Sequence, residues 1–338
     1  PIKDQIKIII FRSASADFFI LKSLILRYSL IRMTKYLKLL RVEQWVKNFF
    51  VFAPLFFSGN ITNIDLLIKS VFAFAVFSLA ASTVYILNDY SDIESDKKHP
   101  EKRNRPLASG AISKPTAITI LLVLMISCIA LIIFTQYYFN LSVLNIKIFL
   151  LQFNLWKLAT IIAVYFFMNL AYTFKLKHVA IVDITIIAIG FVLRVLAGGY
   201  ATGILISQWA ILLTFVLALV LAIGKRRGEL INAQVSGKTR KALDGYNVQF
   251  ADIALSISCT LAIVCYLMFT LSPEVQERFH SRVFYTVIFV VFAFLRYLQQ
   301  TLVYNKTESP TKIIYKDRYI QVTMLLWLTA FLLQIYFK

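Results

Sequence analysis

The sequence predicts an all-α, polytopic membrane protein with nine transmembrane helices, and three observations support that prediction. Of its 338 residues, 59% are hydrophobic and only 16% are charged, which is too apolar for a soluble globular domain. Apolar runs of roughly 18–25 residues follow one another along the chain, and each is long enough to cross a bilayer as a helix. Lysine and arginine residues gather in alternate loops between those runs.

The nine predicted spans account for most of the chain. Because hydrocarbon offers the backbone no hydrogen-bonding partner, each apolar run has to pair its own N–H and C=O groups as a helix. Polar connections mark where one helix ends and the next begins. The predicted spans are residues 43–58, 64–88, 115–138, 147–173, 179–199, 208–225, 252–271, 281–302 and 320–337. Residues 41–338 are therefore predicted to form one transmembrane helical domain, with no soluble second domain.

The distribution of basic residues predicts how the chain is oriented. A net charge of +19 is compatible with nucleic-acid binding, but basic residues on a membrane protein more often mark its cytoplasmic loops. They gather in the loops after spans 2, 4, 6 and 8, whereas the loops after spans 1, 3, 5 and 7 hold few. We therefore expect a multi-pass protein of the cytoplasmic (inner) membrane that contacts the lipid bilayer and no nucleic acid. The even-numbered loops would face the cytoplasm.

Residues 1–40 are expected to form a segment apart from the catalytic domain. They are rich in Ile, Leu, Lys and Arg, which is typical of an amphipathic helix lying at the membrane interface. The alternative interpretation is that this stretch is the edge of a fragment, since the chain starts with Pro1 rather than with Met.

An acidic motif at the end of span 2 is the most informative feature of the chain. Asp89, Asp92 and Asp96 are spaced i, i+3 and i+7, so they lie on one face of a helix, with Asn88 beside them. Carboxylates this close repel one another unless a cation lies between them, and Mg²⁺ prefers such oxygen ligands together with substrate phosphates. The basic residues that follow include Lys102, Arg103 and Arg105. An acidic face beside a basic loop predicts a site for Mg²⁺ and a diphosphate.

Three further groups of polar residues are expected at the same end of the bundle. One opens span 1 and contains Lys47, which could equally be an interface anchor. A second follows span 4 and contains Tyr172 and Lys177. The third follows span 6, where arginine and lysine are natural partners of phosphate oxygens, although such a charge run is often only a solvated face. Its candidate residues are Lys225, Arg226, Arg240 and Tyr246.

Two ionisable residues lie within span 5. Charged side chains inside a membrane span are costly and usually functional, which draws attention to Asp183 and Arg194. Eleven residues on one helix is close to three turns, so both side chains can face the same cavity. Asp183 either takes part in the reaction or serves as a counter-ion for Arg194 or Lys177.

These features together resemble the UbiA superfamily of intramembrane prenyltransferases. The resemblance rests on nine spans and on the Asn-Asp-x-x-Asp-x-x-x-Asp pattern of Asn88–Asp96 at the end of span 2. It implies a helical bundle with a polar cavity facing the cytoplasm and Mg²⁺ held by aspartates. The superfamily has a second aspartate-rich motif after span 6, but this chain has the basic stretch Gly224–Glu229 there. That departure points away from ordinary prenyl-diphosphate chemistry.

The pattern is similar to one branch of the superfamily, which transfers 5-phosphoribose from 5-phosphoribosyl-1-diphosphate (PRPP) to a polyprenyl (decaprenyl) phosphate. Diphosphate is the second product, and the lipid product feeds the synthesis of lipid-linked arabinose donors. The shared motifs lie, in order, at Gln44–Asn48, Asn88–Gly110, Tyr172–Asp183, Leu193–Gly199, Gly224–Leu230, Arg240–Tyr246, Leu295–Tyr297 and Asp317–Arg318.

The resemblance implies a role for each candidate residue. The ligands of Mg²⁺ and of the PRPP diphosphate would be Asn88, Asp89, Asp92 and Asp96. The leaving charge would be supported by Lys102, Arg103 and Arg105. The 5-phosphate would be held by Lys225 and Arg226, with Arg240 and Tyr246 as further candidates. The lipid phosphate would be steered by Lys47, Lys177 and Arg194, with Tyr172 also binding substrate. The catalytic set is then Asp89, Asp92, Lys177 and Asp183, the last of these beside the anomeric carbon.

Two other functions are compatible with the sequence. A prenyltransferase that moves an isoprenoid to an aromatic or other acceptor would need a second acidic motif. A non-catalytic carrier of lipid phosphates would be expected to show an internal repeat with broken helices, and the sequence has no convincing repeat. The branch is also compatible with a homo-oligomer.

Overall fold

The fold is all-α throughout the part of the chain that the computed structural model describes, which is residues 33–100, 102–141, 148–236, 241–279, 281–305, 313 and 316–336. Eight long helices carry it. They are α1 (Ile64–Ser91), α2 (Lys114–Leu141), α3 (Ile148–Phe174), α4 (Val182–Thr202), α5 (Gln208–Ser236), α6 (Val248–Leu271), α7 (Val287–Leu298) and α8 (Arg318–Tyr336). Shorter helices join them, and Gln299–Val303 continues α7 as a π-helix.

Seven of the nine predicted spans are helices long and apolar enough to cross a membrane. These seven correspond to α1 through α6 and to the stretch Arg282–Val303, which contains α7. The first predicted span is a 3-10 helix, Val42–Phe52, that continues as Ala53–Phe57. The last is α8. The predicted interfacial segment at 1–40 falls mainly outside the described residues, apart from a helical stretch at 33–40.

The basic stretch Gly224–Glu229 corrects one prediction. It was placed in a loop after span 6, but the structure continues α5 as a helix to Ser236. Arg226 and Arg227 are both buried there and both bond to carboxylates, Asp183 and Asp252 respectively. Charged side chains can be buried within a helix bundle when each is paired with an opposite charge. The helix therefore continues beyond the point where the apolar run of the sequence ends.

The first segment, defined as Val42–Phe57, is pinned to the bundle by polar contacts with α1. The Trp45 indole N–H donates to Ser82 Oγ at 3.0 Å, and Asn48 Nδ2 donates to Ser78 Oγ at 2.9 Å. Both serines lie one turn apart on α1, so the Gln-Trp-x-Lys-Asn pattern has a local structural cause.

Close packing against α4 fixes the other side of the first segment. A Cβ added at Gly198 would lie 1.8 Å from the backbone oxygen of Val51. Only glycine leaves room for this approach, which explains Gly198 of the Leu193–Gly199 motif, whereas a Cβ at Gly199 would instead overlap the Ile206 side chain. The first segment is thus held between α1 and α4.

The remaining helices complete a ring. Helices α1, α2, α3 and α4 share one apolar core around Phe77, while α4, α5, α6 and α7 share a second around Leu255. Helix α8 then packs on α7 and returns to the first segment, where the rings of Phe331 and Phe56 stack 5.8 Å apart. The bundle is closed by aromatic contact.

An ion pair explains two of the later motifs. Arg296 on α7 donates through Nε to Asp317 Oδ2 at 3.0 Å, and Asp317 Oδ1 accepts the backbone N–H of Ile320 at 3.0 Å. Asp317 therefore caps the start of α8 and ties it to α7 at the same time. The arginine of Leu295–Tyr297 and the aspartate of Asp317–Arg318 are structural partners.

Gly198→Ala tests the packing of the first segment. The added methyl group would overlap the Val51 carbonyl, so we expect a loss of about 2 kcal/mol in the free energy of unfolding. Thermal unfolding of the detergent-solubilised protein measures it. Gly190→Ala is the matched control, because a Cβ there would meet its nearest atom at an ordinary 3.5 Å. Equal melting temperatures for the two variants would contradict the packing account.

Candidate functional site

The acidic motif ends α1, and a basic side chain pairs with each of its three aspartates. Asp89 is 2% exposed and bonds to Arg41 and, at 3.1 Å, to Arg105 Nη1. The same Arg105 nitrogen lies 2.7 Å from Asp96 Oδ2. Asp92 is partly exposed, and its Oδ1 accepts from Lys177 Nζ at 2.6 Å. The predicted single helical face is interrupted, because α1 ends at Ser91 and Asp96 lies in the next short helix, Ile93–Lys97. Arg105 nevertheless brings Asp89 and Asp96 together, and Lys177, which was expected to steer the lipid phosphate, bonds to Asp92.

Arg41 reaches the motif from the turn before the first segment. Its backbone is in the left-handed region, with φ 50°, which costs about 1 kcal/mol for a residue with a side chain. The guanidinium lies 5.1 Å from the centre of the Tyr85 ring, so a cation–π contact supports the bond to Asp89. The contacts of the Arg41 guanidinium with Asp89 and Tyr85 thus stabilise the left-handed turn.

The motif fits a magnesium ion bound jointly with phosphate oxygens. Across the described residues, no three His, Cys, Asp or Glu side chains gather closely enough to hold a metal by themselves. Asp89 and Asp96 share Arg105, whereas Asp92 pairs separately with Lys177, so no single cation bridges all three. One or two carboxylates plus substrate phosphates is nevertheless the usual setting for Mg²⁺.

Asn88 lies beside the aspartates and contacts α3. Its side-chain amide meets the hydroxyl of Thr173, a buried residue one turn before Lys177. Asn88 also lies one helical turn before Asp92, whose backbone N–H donates to the Asn88 backbone carbonyl at 3.0 Å. The two side chains therefore lie on the same face, where Asn88 can contribute one polar atom.

A second cluster combines Lys47 with Arg194. Arg194 is 4% exposed, and its Nε donates to Asn48 Oδ1 at 2.8 Å while Nη1 donates to the Gly190 carbonyl at 2.6 Å. The guanidinium also lies over the ring of Phe77, 4.7 Å from its centre. Lys47 is close enough to Arg194 and Arg41 for their charges to repel it. Arg194 has no carboxylate among its described partners, so the cluster has a net positive charge.

Asp183 belongs to a different group from Arg194. Its Oδ2 accepts from Arg226 Nε at 2.7 Å and its Oδ1 from the Tyr246 hydroxyl at 2.8 Å. The proposed pairing of Asp183 with Arg194 or Lys177 is therefore wrong. Arg226 also bonds to Glu229, so two carboxylates compensate its charge.

Tyr246 fastens this group to the turn before α4. Its oxygen accepts the backbone N–H of Ile181 at 2.6 Å, and Ile181 has φ 68°. Burial raises the pKa of Tyr246 to about 12, so the hydroxyl stays protonated at neutral pH and can donate to Asp183. Tyr246 and Asp183 together orient Arg226.

The other predicted residues lie around these groups. Lys102, Arg103 and Lys225 are exposed at the same end of the bundle. Tyr172 lies near enough to Arg226 to interact with it electrostatically. Arg240 lies outside the described residues. Four partners were not among the predicted site residues: Arg41, Asn48, Thr173 and Glu229. Thr173 had a partial signal, since it lies four residues before Lys177, although α3 ends at Phe174 and Lys177 belongs to the next short helix, Leu176–His178.

Asp183→Asn tests the buried ion pair. Removing one charge leaves Arg226 partly uncompensated in a low-dielectric interior, so we expect a loss of about 3 kcal/mol in the free energy of unfolding. Thermal unfolding of the purified protein reports it. Glu94→Gln is the matched control, because it breaks an exposed pair with Lys97 and should change little. Combining Asp183→Asn with Arg226→Met should recover part of the loss; no difference from Glu94→Gln would contradict the pairing.

Comparisons with known proteins agree with this architecture. Residues 49–329 match the model of the UbiA prenyltransferase family. The decaprenyl-phosphate phosphoribosyltransferase of Mycolicibacterium smegmatis is 34% identical over 317 residues, covering 89% of this chain and 92% of that protein. The protein of the same name from Corynebacterium glutamicum is 32% identical over 305 residues, covering 89% and 86%.

Solved structures show the same fold. A digeranylgeranylglyceryl phosphate synthase superposes with a TM-score of 0.61 at 20% identity, covering 91% of this chain and 99% of that one. A UbiA homologue from Archaeoglobus fulgidus bound to DMAPP and Mg²⁺ also has a TM-score of 0.61, at 17% identity, covering 89% and 99%. The chain is a multi-pass membrane protein and belongs to the UbiA prenyltransferase family.

Proposed function

We propose that this protein transfers 5-phosphoribose from PRPP to a polyprenyl phosphate, releasing diphosphate, in a reaction that requires Mg²⁺. The observation that carries the proposal is a paired arrangement of charge. An aspartate motif able to bind a metal–diphosphate lies next to a basic cluster, Lys47 with Arg194, that lacks a carboxylate of its own. The names of the relatives support the same donor and acceptor classes.

The donor side is assigned to the aspartate motif. Asn88, Asp89 and Asp92 would hold Mg²⁺ together with the PRPP diphosphate, with Asp96 supporting through Arg105. When bound, the ion neutralises charge on the leaving diphosphate. The basic groups that bond to the aspartates in this structure are Arg41, Arg105 and Lys177, and they lie beside the position assigned to the diphosphate. With Mg²⁺ and the diphosphate bound, these side chains would pair with phosphate oxygens, for which they are well suited.

The acceptor side is assigned to Lys47 and Arg194. Arg194 lies on α4, which is long and apolar enough to span a membrane, and Lys47 lies on the first segment, which packs against α4. The apolar tail of a polyprenyl phosphate would remain in lipid while its phosphate meets the cluster. Neutral groups hold Arg194 in place, namely Asn48, the Gly190 carbonyl and the Tyr165 hydroxyl, and none of them compensates its charge. A fixed, desolvated guanidinium is a strong partner for a phosphate.

The transfer needs no general base. An oxygen of the lipid phosphate forms a bond to the anomeric carbon of PRPP, and the bond from that carbon to the diphosphate oxygen breaks with its electron pair. A phosphate monoester has its second pKa near about 6, so it is already ionised at neutral pH. The protein contributes orientation and charge stabilisation as the anomeric carbon becomes cationic.

The 5-phosphate is assigned chiefly to Lys225, which is exposed at the same end of the bundle, with Arg240 as a further candidate from the sequence. Lys102 and Arg103, also exposed there, would support the leaving diphosphate together with Arg105. Arg226 is a weaker choice than the sequence suggested, since Asp183 and Glu229 already compensate it. Asp183 is correspondingly a counter-ion that orients Arg226, and Tyr246 supports it.

The biological setting follows from the same proposal. The protein would lie in the cytoplasmic membrane with its site facing the cytoplasm, where a water-soluble donor such as PRPP is available. Its product would feed lipid-linked arabinose donors, and the chain length of the lipid would be that of decaprenyl phosphate. A homo-oligomer stays a prediction.

A prenyltransferase is the second candidate, favoured by the structural neighbour that binds DMAPP and Mg²⁺. Against it, the segment around Arg226 and Arg227 has no second aspartate-rich motif, and the carboxylates near it, Asp183, Glu229 and Asp252, are paired with those two arginines. The two candidates differ in their donor, so one experiment separates them.

Purified protein in nanodiscs, given labelled PRPP and decaprenyl phosphate, should form labelled lipid and equimolar diphosphate. EDTA should stop the reaction, and Mg²⁺ should restore it. Turnover of a prenyl diphosphate with an aromatic acceptor, and none of PRPP, would establish the second candidate. A protein that binds lipid phosphate but forms neither product would be a carrier.

Asp89→Asn supplies the residue-level control for that assay. Losing one carboxylate from the metal site should lower turnover on the order of 100-fold. Asp65→Asn removes an exposed carboxylate at the opposite end of the same helix and should leave turnover unchanged. Equal turnover in both variants would refute the metal assignment.

Arg194→Gln should separate acceptor binding from donor binding. Losing a charge-assisted bond should raise the KM for polyprenyl phosphate on the order of tenfold, with the KM for PRPP within about twofold of wild type. Arg194→Lys should retain part of the affinity. Lys157→Gln, which removes a lysine that lies over Tyr200, is the basic-residue control. A larger change in the KM for PRPP than for the lipid would reverse the assignment.

A further inference from the structure

We infer that Thr173 is a positioning residue that sets which end of the Asn88 amide faces the metal–diphosphate site. The inference rests on the proposed function, because it concerns the same site. Asn88 can serve a metal only through its carbonyl oxygen, whereas its amino group can only donate hydrogen bonds. Whatever fixes the amide therefore decides what Asn88 can bind.

The geometry places Thr173 between two acceptors. Its hydroxyl contacts Asn88 Oδ1 and also lies 2.8 Å from the backbone carbonyl of Asn169, one turn earlier on α3. Thr173 is 1% exposed, so water does not reach it readily. Its neighbour Asn169 is occupied elsewhere, since Asn169 Nδ2 donates to the Tyr165 carbonyl at 2.7 Å.

Counting protons decides between the arrangements. A threonine hydroxyl has one proton, so it cannot donate fully to both oxygens. The bond to the Asn169 carbonyl is a familiar one for threonine within a helix. If Thr173 donates there, a half-turn of the Asn88 amide brings Nδ2 against the Thr173 oxygen, which can then accept, so the hydroxyl donates one bond and accepts another.

The half-turn has a consequence for the site. It turns Asn88 Oδ1 away from α3, onto the helical face that Asn88 shares with Asp92 one turn later. The two amide orientations have the same shape, so the hydrogen-bond partner selects between them. Without the Thr173 hydroxyl, the amide has no fixed orientation, and binding a metal has to impose one.

Metal binding measures the effect without turnover. Electron paramagnetic resonance of Mn²⁺, titrated with inorganic diphosphate into the purified full-length protein, gives the affinity of the site. Thr173→Val keeps the shape but removes the hydroxyl, and it should weaken binding on the order of tenfold, as loss of outer-shell support commonly does. Thr173→Ser restores the hydroxyl and should return the affinity to within about twofold of wild type.

A double-mutant cycle distinguishes orientation from packing. In an Asn88→Asp background, both terminal atoms are oxygens and no orientation is needed. Thr173→Val should then change the Mn²⁺ affinity by less than about twofold. If Thr173 acted only through packing, the same substitution would weaken binding equally in both backgrounds. The loss of Mn²⁺ affinity in Thr173→Ala would then parallel the fall in its melting temperature.

The outcomes separate this inference from the proposed function. Wild-type protein that binds Mn²⁺ with diphosphate, together with an unchanged affinity in Thr173→Val, would overturn the role of Thr173 and leave the metal site standing. An equal loss in both backgrounds would overturn it as well. Wild-type protein that binds no Mn²⁺ with diphosphate would overturn the proposed function and this inference together.

Discussion

The need to compensate buried carboxylates organises this structure. Asp89 is almost fully buried at the end of α1, where an unpaired charge would be costly. Its partners come from both sides in sequence, Arg41 before the first segment and Arg105 from the loop after α1. These two bonds fix the strained turn at Arg41 and the path of the loop, which an apolar cluster around Leu39, Ile86 and Leu107 supports.

The same constraint divides the site into an acidic half and a basic half. Arg105 and Lys177 compensate the acidic half, and Asp183 and Glu229 compensate Arg226. The basic half of the site consists of Lys47 and Arg194. It lies next to the acidic half, because Arg41, which bonds to Asp89, is also close to Lys47. A site arranged in this way suits two anionic substrates, one accompanied by a divalent ion and one not. Substituting basic residues for a second acidic motif fits that pair of substrates.

Much of the fold followed from the sequence because hydrocarbon allows few backbone arrangements. Seven of the nine spans, the proximity of Asp89 and Asp96, and the family, which is confirmed, could be predicted. Pairings across the bundle could not. Lys177 meets Asp92 across 85 residues, and Arg226 meets Asp183 across 43, whereas local spacing suggested Arg194 as the partner of Asp183. Helical spacing shows which face a residue occupies but not which helix covers it. The continuation of α5 past Lys225 was missed for the same reason, since its charges are paired by distant residues.

The exchange of basic side chains from carboxylates to phosphate is the central claim, and an experimental structure with Mg²⁺ and a non-hydrolysable PRPP analogue tests it most directly. The account predicts that Arg41, Arg105 and Lys177 leave Asp89 and Asp92 and that their nitrogens contact diphosphate oxygens, with the ion between the diphosphate and the carboxylates. Ion pairs that stay intact while the analogue binds elsewhere in the bundle would contradict it.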